Sequence, residues 1–327
     1  MDVEQIHEFI LEATKANMIL GSSVVQSLWS GYGSIKRYEL EGSDYPSVIV
    51  KHVKPDQGAH PRGWNTDLSH ERKLKSYQVE INWYESRSHC SKSLYARIPS
   101  CLAAKNESNE VLIVLEDLDA SGFEGRRSFV NQREWQACVR WLAGFHTENL
   151  NASISGLWET GTYWHLETRP DELERMDDLS LKQAASSIDQ KLKDSRFLTL
   201  VHGDAKLANF CFSSDGSDVA AVDFQYVGGG CGMKDLAYFV GSCFRDEEAE
   251  HVEEEVLAYY FCQMKIFLEK MDDPISLNEL EKDWRPLYRV AWADFHRFMK
   301  GWSPGHWKLS DYSERVSRQV IKNLSIE

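Results

Sequence analysis

The sequence predicts an α+β fold in two lobes, an antiparallel-sheet N-terminal lobe and a mainly helical C-terminal lobe. Three observations predict it. Residues 1–115 read in the order helix, three strands, helix, two strands. Beyond residue 123 the long apolar stripes recur at helical spacing instead. With 327 residues, 42% hydrophobic and 12% aromatic, the chain can bury a large core and is long enough for two lobes. The expected division is a first lobe over 1–115 and a second over 123–327, joined by residues 116–122.

The first element is an amphipathic helix over residues 2–17, with Ile6, Phe9, Ile10 and Ala13 on one side. Strands follow at Val24 to Trp29, Ile35 to Leu40 and Val48 to Val53, the first two joined by Gly31-Tyr32-Gly33-Ser34. Alternation puts Lys51 on the face of Ile49 and Val53, and a lysine among buried aliphatics needs a partner. A helix over 69–87, carrying Leu74, Tyr77, Ile81 and Tyr84, offers Glu80 as that partner and Glu71 as a second choice. Strands around Arg97 to Ala103 and Val111 to Glu116 close the lobe. In the second lobe a helix over 131–149 buries Trp135, Cys138, Val139, Leu142 and Phe145. Acidic residues from Asp246 to Glu250 open another helix, where negative charge offsets the helix dipole.

The most informative stretch is His202-Gly203-Asp204-Ala205-Lys206-Leu207-Ala208-Asn209, followed after a short hairpin by Asp223-Phe224-Gln225. Two apolar arms, Phe210-Cys211-Phe212 and Val219 to Val222, flank an Asp-Gly turn and should bring Asn209 and Asp223 side by side. An amide oxygen and a carboxylate facing one point suit Mg²⁺, which takes few protein ligands and completes its shell with phosphate and water. Asp204 lies in the loop before the strand, where it can orient a hydroxyl and accept its proton. Lys206 could reach the transferring phosphoryl oxygens. The pattern is that of phosphoryl transfer.

These residues resemble the aminoglycoside phosphotransferase and choline kinase superfamily, most closely its ecdysteroid-kinase-like and choline-kinase-like branch of small-molecule kinases. Val114-Leu115-Glu116-Asp117-Leu118 with Gly122-Phe123, Trp141-Leu142-Ala143-Gly144-Phe145-His146, and Asp235-Leu236-Ala237-Tyr238-Phe239 are similar to that branch's hinge, Leu-Ala-x-Phe-His helix and Asp-Leu-Ala-Tyr-Phe element. The resemblance implies a two-lobed protein-kinase-like fold, ATP as donor, magnesium, and a small hydroxylated acceptor. It implies that Gly31 and Gly33 cover the nucleotide phosphates, that Lys51, oriented by Glu80, holds them, and that the main chain of Glu116 and Leu118 meets the adenine edge. Taken alone, the Gly31 to Ser34 turn is more often a plain hairpin. Gln225 stands where protein kinases carry glycine, so a less mobile metal loop is expected. His146 is read as structural, Gly228 to Gly232 as a flexible loop, and Asp235 as a cap of its helix that bonds back to the catalytic loop.

Thirty-seven basic against fifty-one acidic side chains give a formal charge of −14. That field opposes nucleic acid and mildly favours a cationic acceptor. No apolar run reaches membrane-spanning length. Seven cysteines without Cys-x-x-Cys spacing and an acidic N-terminus fit a cytoplasmic protein with free thiols. Beyond residue 280, Trp284, Tyr288, Trp292, Asp294, Phe295, Trp302 and Trp307 crowd together. Their spacing fits a helix core, and a cage for a protonated amine is the alternative. The functional alternative to a small-molecule kinase is a nucleotide-binding pseudokinase with a regulatory role; the retained Asp204, Asn209 and Asp223 argue against it. The acceptor and the oligomeric state are not encoded in any motif.

Overall fold

Asp2 starts the first helix, α1 (Val3–Thr14): its carboxylate accepts the Gln5 N–H while the Gln5 side chain accepts the Asp2 N–H. In this computed structural model, which describes residues 1–28, 31–54, 67–88, 95–107 and 110–325, Ile6 and Ile10 of α1 pack on Tyr38, Leu40, Val48, Val50, Leu112 and Val114. Those residues come from one antiparallel sheet. Its strands are β1 (Met18–Ser27), β2 (Gly33–Glu41), β3 (Ser47–Val53), β4 (Cys101–Glu107) and β5 (Glu110–Glu116), in the order β1-β2-β3-β5-β4. Helix α2 (Asp67–Ser88) lies between β3 and β4 in the chain.

Two strands differ from expectation. β1 begins at Met18 rather than Val24; it is a mostly exposed edge strand with irregular register, so no apolar alternation marks its start. Its expected end, Trp29, lies outside the described residues, as does Cys90. β4 begins at Cys101 rather than Arg97, because Pro99 has no N–H for the ladder. The Arg97 carbonyl accepts instead from Trp141 Nε1 and the Ala221 N–H.

The chain divides into two compact units, Met1–Lys92 with Ile98–Gly125, and Ser93–Arg97 with Arg126–Glu327. The second contains α3 (Gln132–Glu148), α4 (Pro170–Arg175), α5 (Leu179–Lys193), α6 (Met233–Cys243), α7 (Asp246–Met271), α8 (Leu277–Trp302) and α9 (Asp311–Leu324). It also holds four short strands: β6 (Thr199–Val201) pairs with β9 (Gly228–Gly230), and β7 (Phe210–Phe212) with β8 (Val219–Ala221). Helix α8 packs against α4, α5, α6, α7 and α9 and forms the centre of this unit. The glycine run is therefore a strand, not a flexible loop. A Cβ at Gly228 would lie 2.2 Å from the Trp158 carbonyl oxygen, and one at Gly229 2.7 Å from that of Glu159. Close approach of a second backbone, rather than mobility, requires these glycines.

Among the described residues no helix is long and apolar enough to cross a membrane, and the described cysteines are free thiols.

Candidate active site

The candidate catalytic loop is built on the β7–β8 hairpin. Its turn is fixed by Gly216 at φ +71° and by Asp215 Oδ1, which accepts from the Ser213 hydroxyl and from the Ser217 N–H and hydroxyl. Phe210 pairs with Ala221, and the Val222 N–H donates to the Asn209 carbonyl at 3.0 Å. Asn209 thus stands opposite Val222, one residue short of the expected alignment with Asp223. The Asp223 backbone turns sharply at φ +71°, a conformation uncommon for a residue with a side chain, and its Oδ1 accepts from Gln225 Nε2 at 2.8 Å. Gln225 thus clamps the loop through its side chain, in addition to the restriction that a non-glycine backbone imposes.

Asp204 is 6% exposed. Its Oδ2 accepts from Lys206 Nζ at 2.8 Å and from Asn209 Nδ2 at 3.1 Å, while Oδ1 is buried and accepts no hydrogen bond. The Tyr238 hydroxyl also interacts with this carboxylate. Asn209 Nδ2 also donates to the Asp204 carbonyl at 2.8 Å, which commits the nitrogen and leaves the amide oxygen as a ligand atom. Burial raises the Asp204 pKa, and Asp223 adds to the rise against the opposing Lys206. Burial lowers that of Lys206, but Asp204 and Asp223 outweigh it, so the ammonium stays charged.

A second layer fixes the loop. Asp235 sits inside α6, not at its cap, which is Gly232. Its carboxylate accepts the N–H groups of His202 and of Gly203, the latter at 2.9 Å. His146 bridges Asp235 at 3.1 Å and the Tyr260 hydroxyl at 2.7 Å, a fully buried chain. His202 Nδ1 accepts the Asp204 N–H at 3.2 Å, which leaves Nε2 to donate to the Val222 carbonyl at 3.1 Å. Gly203, at φ +80°, has the Tyr226 carbonyl oxygen where a Cβ would be, at 2.1 Å.

In the first unit, Lys51 Nζ donates to Glu80 Oε2 at 2.6 Å, the two residues being 4% and 2% exposed. Glu71 is exposed. Gly31 and Gly33 have φ of +73° and +139°, and a Cβ at Gly33 would lie 2.0 Å from the His52 carbonyl oxygen, so this glycine is needed by the sheet itself. In the segment expected as the hinge, which lies within the first unit, the Glu116 N–H donates to the Ser100 carbonyl. The Leu118 carbonyl accepts from Ser121 and Phe123. These bonds commit two of the groups expected to meet an adenine edge, and the Leu118 N–H is not among them. Asp117 anchors the segment to Arg37, by Nε at 2.6 Å, and to the Ser47 hydroxyl.

The aromatic residues of α8 are mostly core. Trp284, Tyr288 and Trp292 are buried, and Asp294 accepts from Trp164 Nε1 at 3.0 Å and Arg297 Nη2 at 2.8 Å, with Lys234 3.7 Å away. Asp294 is therefore no cage carboxylate. Burial raises its pKa, but Arg297 and Lys234 bring it below the ordinary range. Next to the candidate catalytic loop stand two tyrosines with no sequence motif to mark them as a pair, Tyr163 and Tyr238, their hydroxyls 3.2 Å apart. His165, Glu167 and Asp189 bring ligand atoms within 4.8 Å of one another. Lys193 bonds both carboxylates at 2.8 and 2.9 Å, so the group already contains its cation.

The fold is shared with solved structures of small-molecule kinases. The chain belongs to the ecdysteroid kinase-like family, whose profile matches residues 41–153 and 150–272. Similar solved structures include a choline kinase from Cryptosporidium parvum Iowa II (TM-score 0.58, 11% identity, 99% of this chain and 94% of that one). Another is the amicoumacin kinase hAmiN in complex with AMP-PNP, Ca²⁺ and Ami (TM-score 0.51, 11% identity, 99% and 93%). An aminoglycoside phosphotransferase aligns with TM-score 0.47 at 12% identity over 97% and 99%. No curated protein sequence matches.

Proposed function

We propose that the protein transfers the γ-phosphoryl group of ATP to a hydroxyl of a small molecule, with Mg²⁺ on the nucleotide phosphates. One observation carries this reading: a buried carboxylate, Asp204, with one oxygen held by Lys206 and Asn209 and the other without a hydrogen bond. A buried acceptor atom lacking a donor is costly, and an acceptor hydroxyl would supply that donor. Raised by burial, the Asp204 carboxylate is also a better proton acceptor than an exposed one.

Asn209 Oδ1 and the Asp223 carboxylate form a hard-oxygen set suited to Mg²⁺. When bound, the metal neutralises charge on the phosphate oxygens. Lys206 adds a positive charge beside the Asp204 oxygen that it bonds. In the first unit Lys51 is the phosphate-holding cation and Glu80 its orienting anion, with the Gly31 to Gly33 turn as backbone cover and the Leu118 N–H toward adenine. The complex of the amicoumacin kinase with AMP-PNP and Ca²⁺ supports nucleotide and divalent metal as cofactors.

The test is ADP release with ATP, with and without Mg²⁺, across amino alcohols, sugars, sterols and aminoglycosides. Acceptor-dependent release that is lost in Asp204→Ala, with nucleotide binding retained, is expected. ATP binding without turnover on any acceptor would sink the reading in favour of a regulatory pseudokinase.

A further inference from the structure

The loop after α8 folds a cation of the chain itself into an aromatic cage. Lys308 Nζ lies 4.8 Å from the Tyr238 ring centroid, 5.3 Å from that of Phe295 and 5.6 Å from that of Trp307. At such distances the ring quadrupole attracts a cation, and several rings around one ammonium are how protonated and quaternary amines are recognised. Among the described residues no carboxylate forms a salt bridge with Lys308, so the rings are its principal partners.

The cage stands against the catalytic loop. Tyr238 lies on α6 between Asp235, which accepts the His202 and Gly203 N–H groups, and Ser242, whose hydroxyl accepts the Leu207 N–H. Its hydroxyl is near Tyr163 and the Asp204 carboxylate. Burial lowers the Lys308 pKa to about 8, with Asp204 counteracting and Lys206 adding to the fall, so both loop side chains are within its electrostatic reach. Trp307 is 47% exposed, which leaves the cage open to solvent on that side.

Given the assignment of Asp204 as the group that receives the acceptor hydroxyl, we propose that Lys308 is a specificity-determining residue. Its ammonium fills the aromatic cage beside Asp204, so the acceptor is an uncharged or anionic hydroxyl compound and cationic amines are shut out. A second cation entering this cage would meet the first at close range, in surroundings that screen charge poorly. The acidic net charge of the chain points the other way, toward cationic acceptors, but net charge does not describe a pocket lined by its own lysine.

The experiment uses the full chain and two probes, tetramethylammonium and choline, titrated by calorimetry into wild type, Lys308→Ala, Lys308→Met and Lys308→Arg. Thermal melts and circular dichroism establish that each variant is folded. Wild type and Lys308→Arg should show no saturable binding, and Lys308→Ala should gain at least tenfold in affinity. Lys308→Met, which removes the charge and retains most of the side-chain volume, should gain less. Equal affinity of wild type and Lys308→Ala, or a folded Lys308→Ala and Lys308→Met that both gain nothing, would overturn the proposal. Calorimetry does not depend on turnover, so failure of the kinase reading and failure of this one are separable. In the acceptor screen, wild-type turnover confined to uncharged or anionic compounds is expected, and turnover of a cationic amino alcohol would equally overturn it.

Discussion

The two units each bury charge, in opposite ways. In the first, Lys51 and Glu80 are one cation and one anion 2.6 Å apart, delivered by a strand and a helix. In the second, Asp204, Lys206, Asn209 and Asp223 stand in loops around a short hairpin, with a carboxylate oxygen left without a hydrogen bond and a backbone turned to φ +71° at Asp223. Regular elements position a neutralised pair by their own periodicity. The candidate reactive group stands on irregular backbone, and that backbone is anchored from elsewhere in the chain, here by Asp235, His146 and Tyr260.

The sharpest break in that contrast is Asp204→Ala, expected to lower phosphoryl transfer by ~10²–10⁴-fold with little change in nucleotide affinity, followed by ADP release and nucleotide titration. Equal loss of both would show that Asp204 supports the fold of the loop rather than the transfer step. Next comes Glu80→Ala, which removes the carboxylate 2.6 Å from the buried Lys51 ammonium and should cost about 3–5 kcal/mol, read by denaturant unfolding. A cost under about 1 kcal/mol would mean that the pair is solvated. Asp235→Ala leaves the buried His202 and Gly203 N–H groups without acceptors, at roughly 1–3 kcal/mol each. It should lower kcat together with stability, since it disorders the loop rather than removing a reacting group.

A subtler effect is in the pH profile. Asp204 must be ionised to accept a proton, so kcat/KM should fall as pH drops through its raised pKa, above the ordinary range for an aspartate. Because Lys206 opposes that rise, Lys206→Met should move the acidic limb to higher pH; a limb that stays in place would remove Asp204 from the titration. The smallest expected effect is Asp2→Ala, which removes the α1 cap at about 1 kcal/mol and leaves turnover unchanged.

Much of the fold was legible because periodicity needs only local residues. The five-stranded lobe, the long helices and the choice of Glu80 over Glu71 follow from which side chains share a face. The β1 start and the glycine strand did not follow, since an exposed edge carries no alternation and a glycine required by a neighbouring backbone reads the same as a flexible one. In the candidate site, the spacing of Asp204, Asn209 and Asp223 marks a loop that the β7–β8 hairpin does close, but with the register offset by one residue.

By itself the sequence determined the chemistry on offer: two carboxylates, one amide and a lysine in a hairpin-linked pattern, and a sheet lobe followed by helices. Only the tertiary structure decided which oxygen of Asp204 is held by Lys206 and Asn209, that Gln225 clamps Asp223, and that Lys308 occupies an aromatic cage drawn from α6, α8 and the loop beyond. The physical reason is range. Propensity and periodicity act over a few residues, whereas desolvation, ion pairing and cation–π contact depend on groups brought together across the chain.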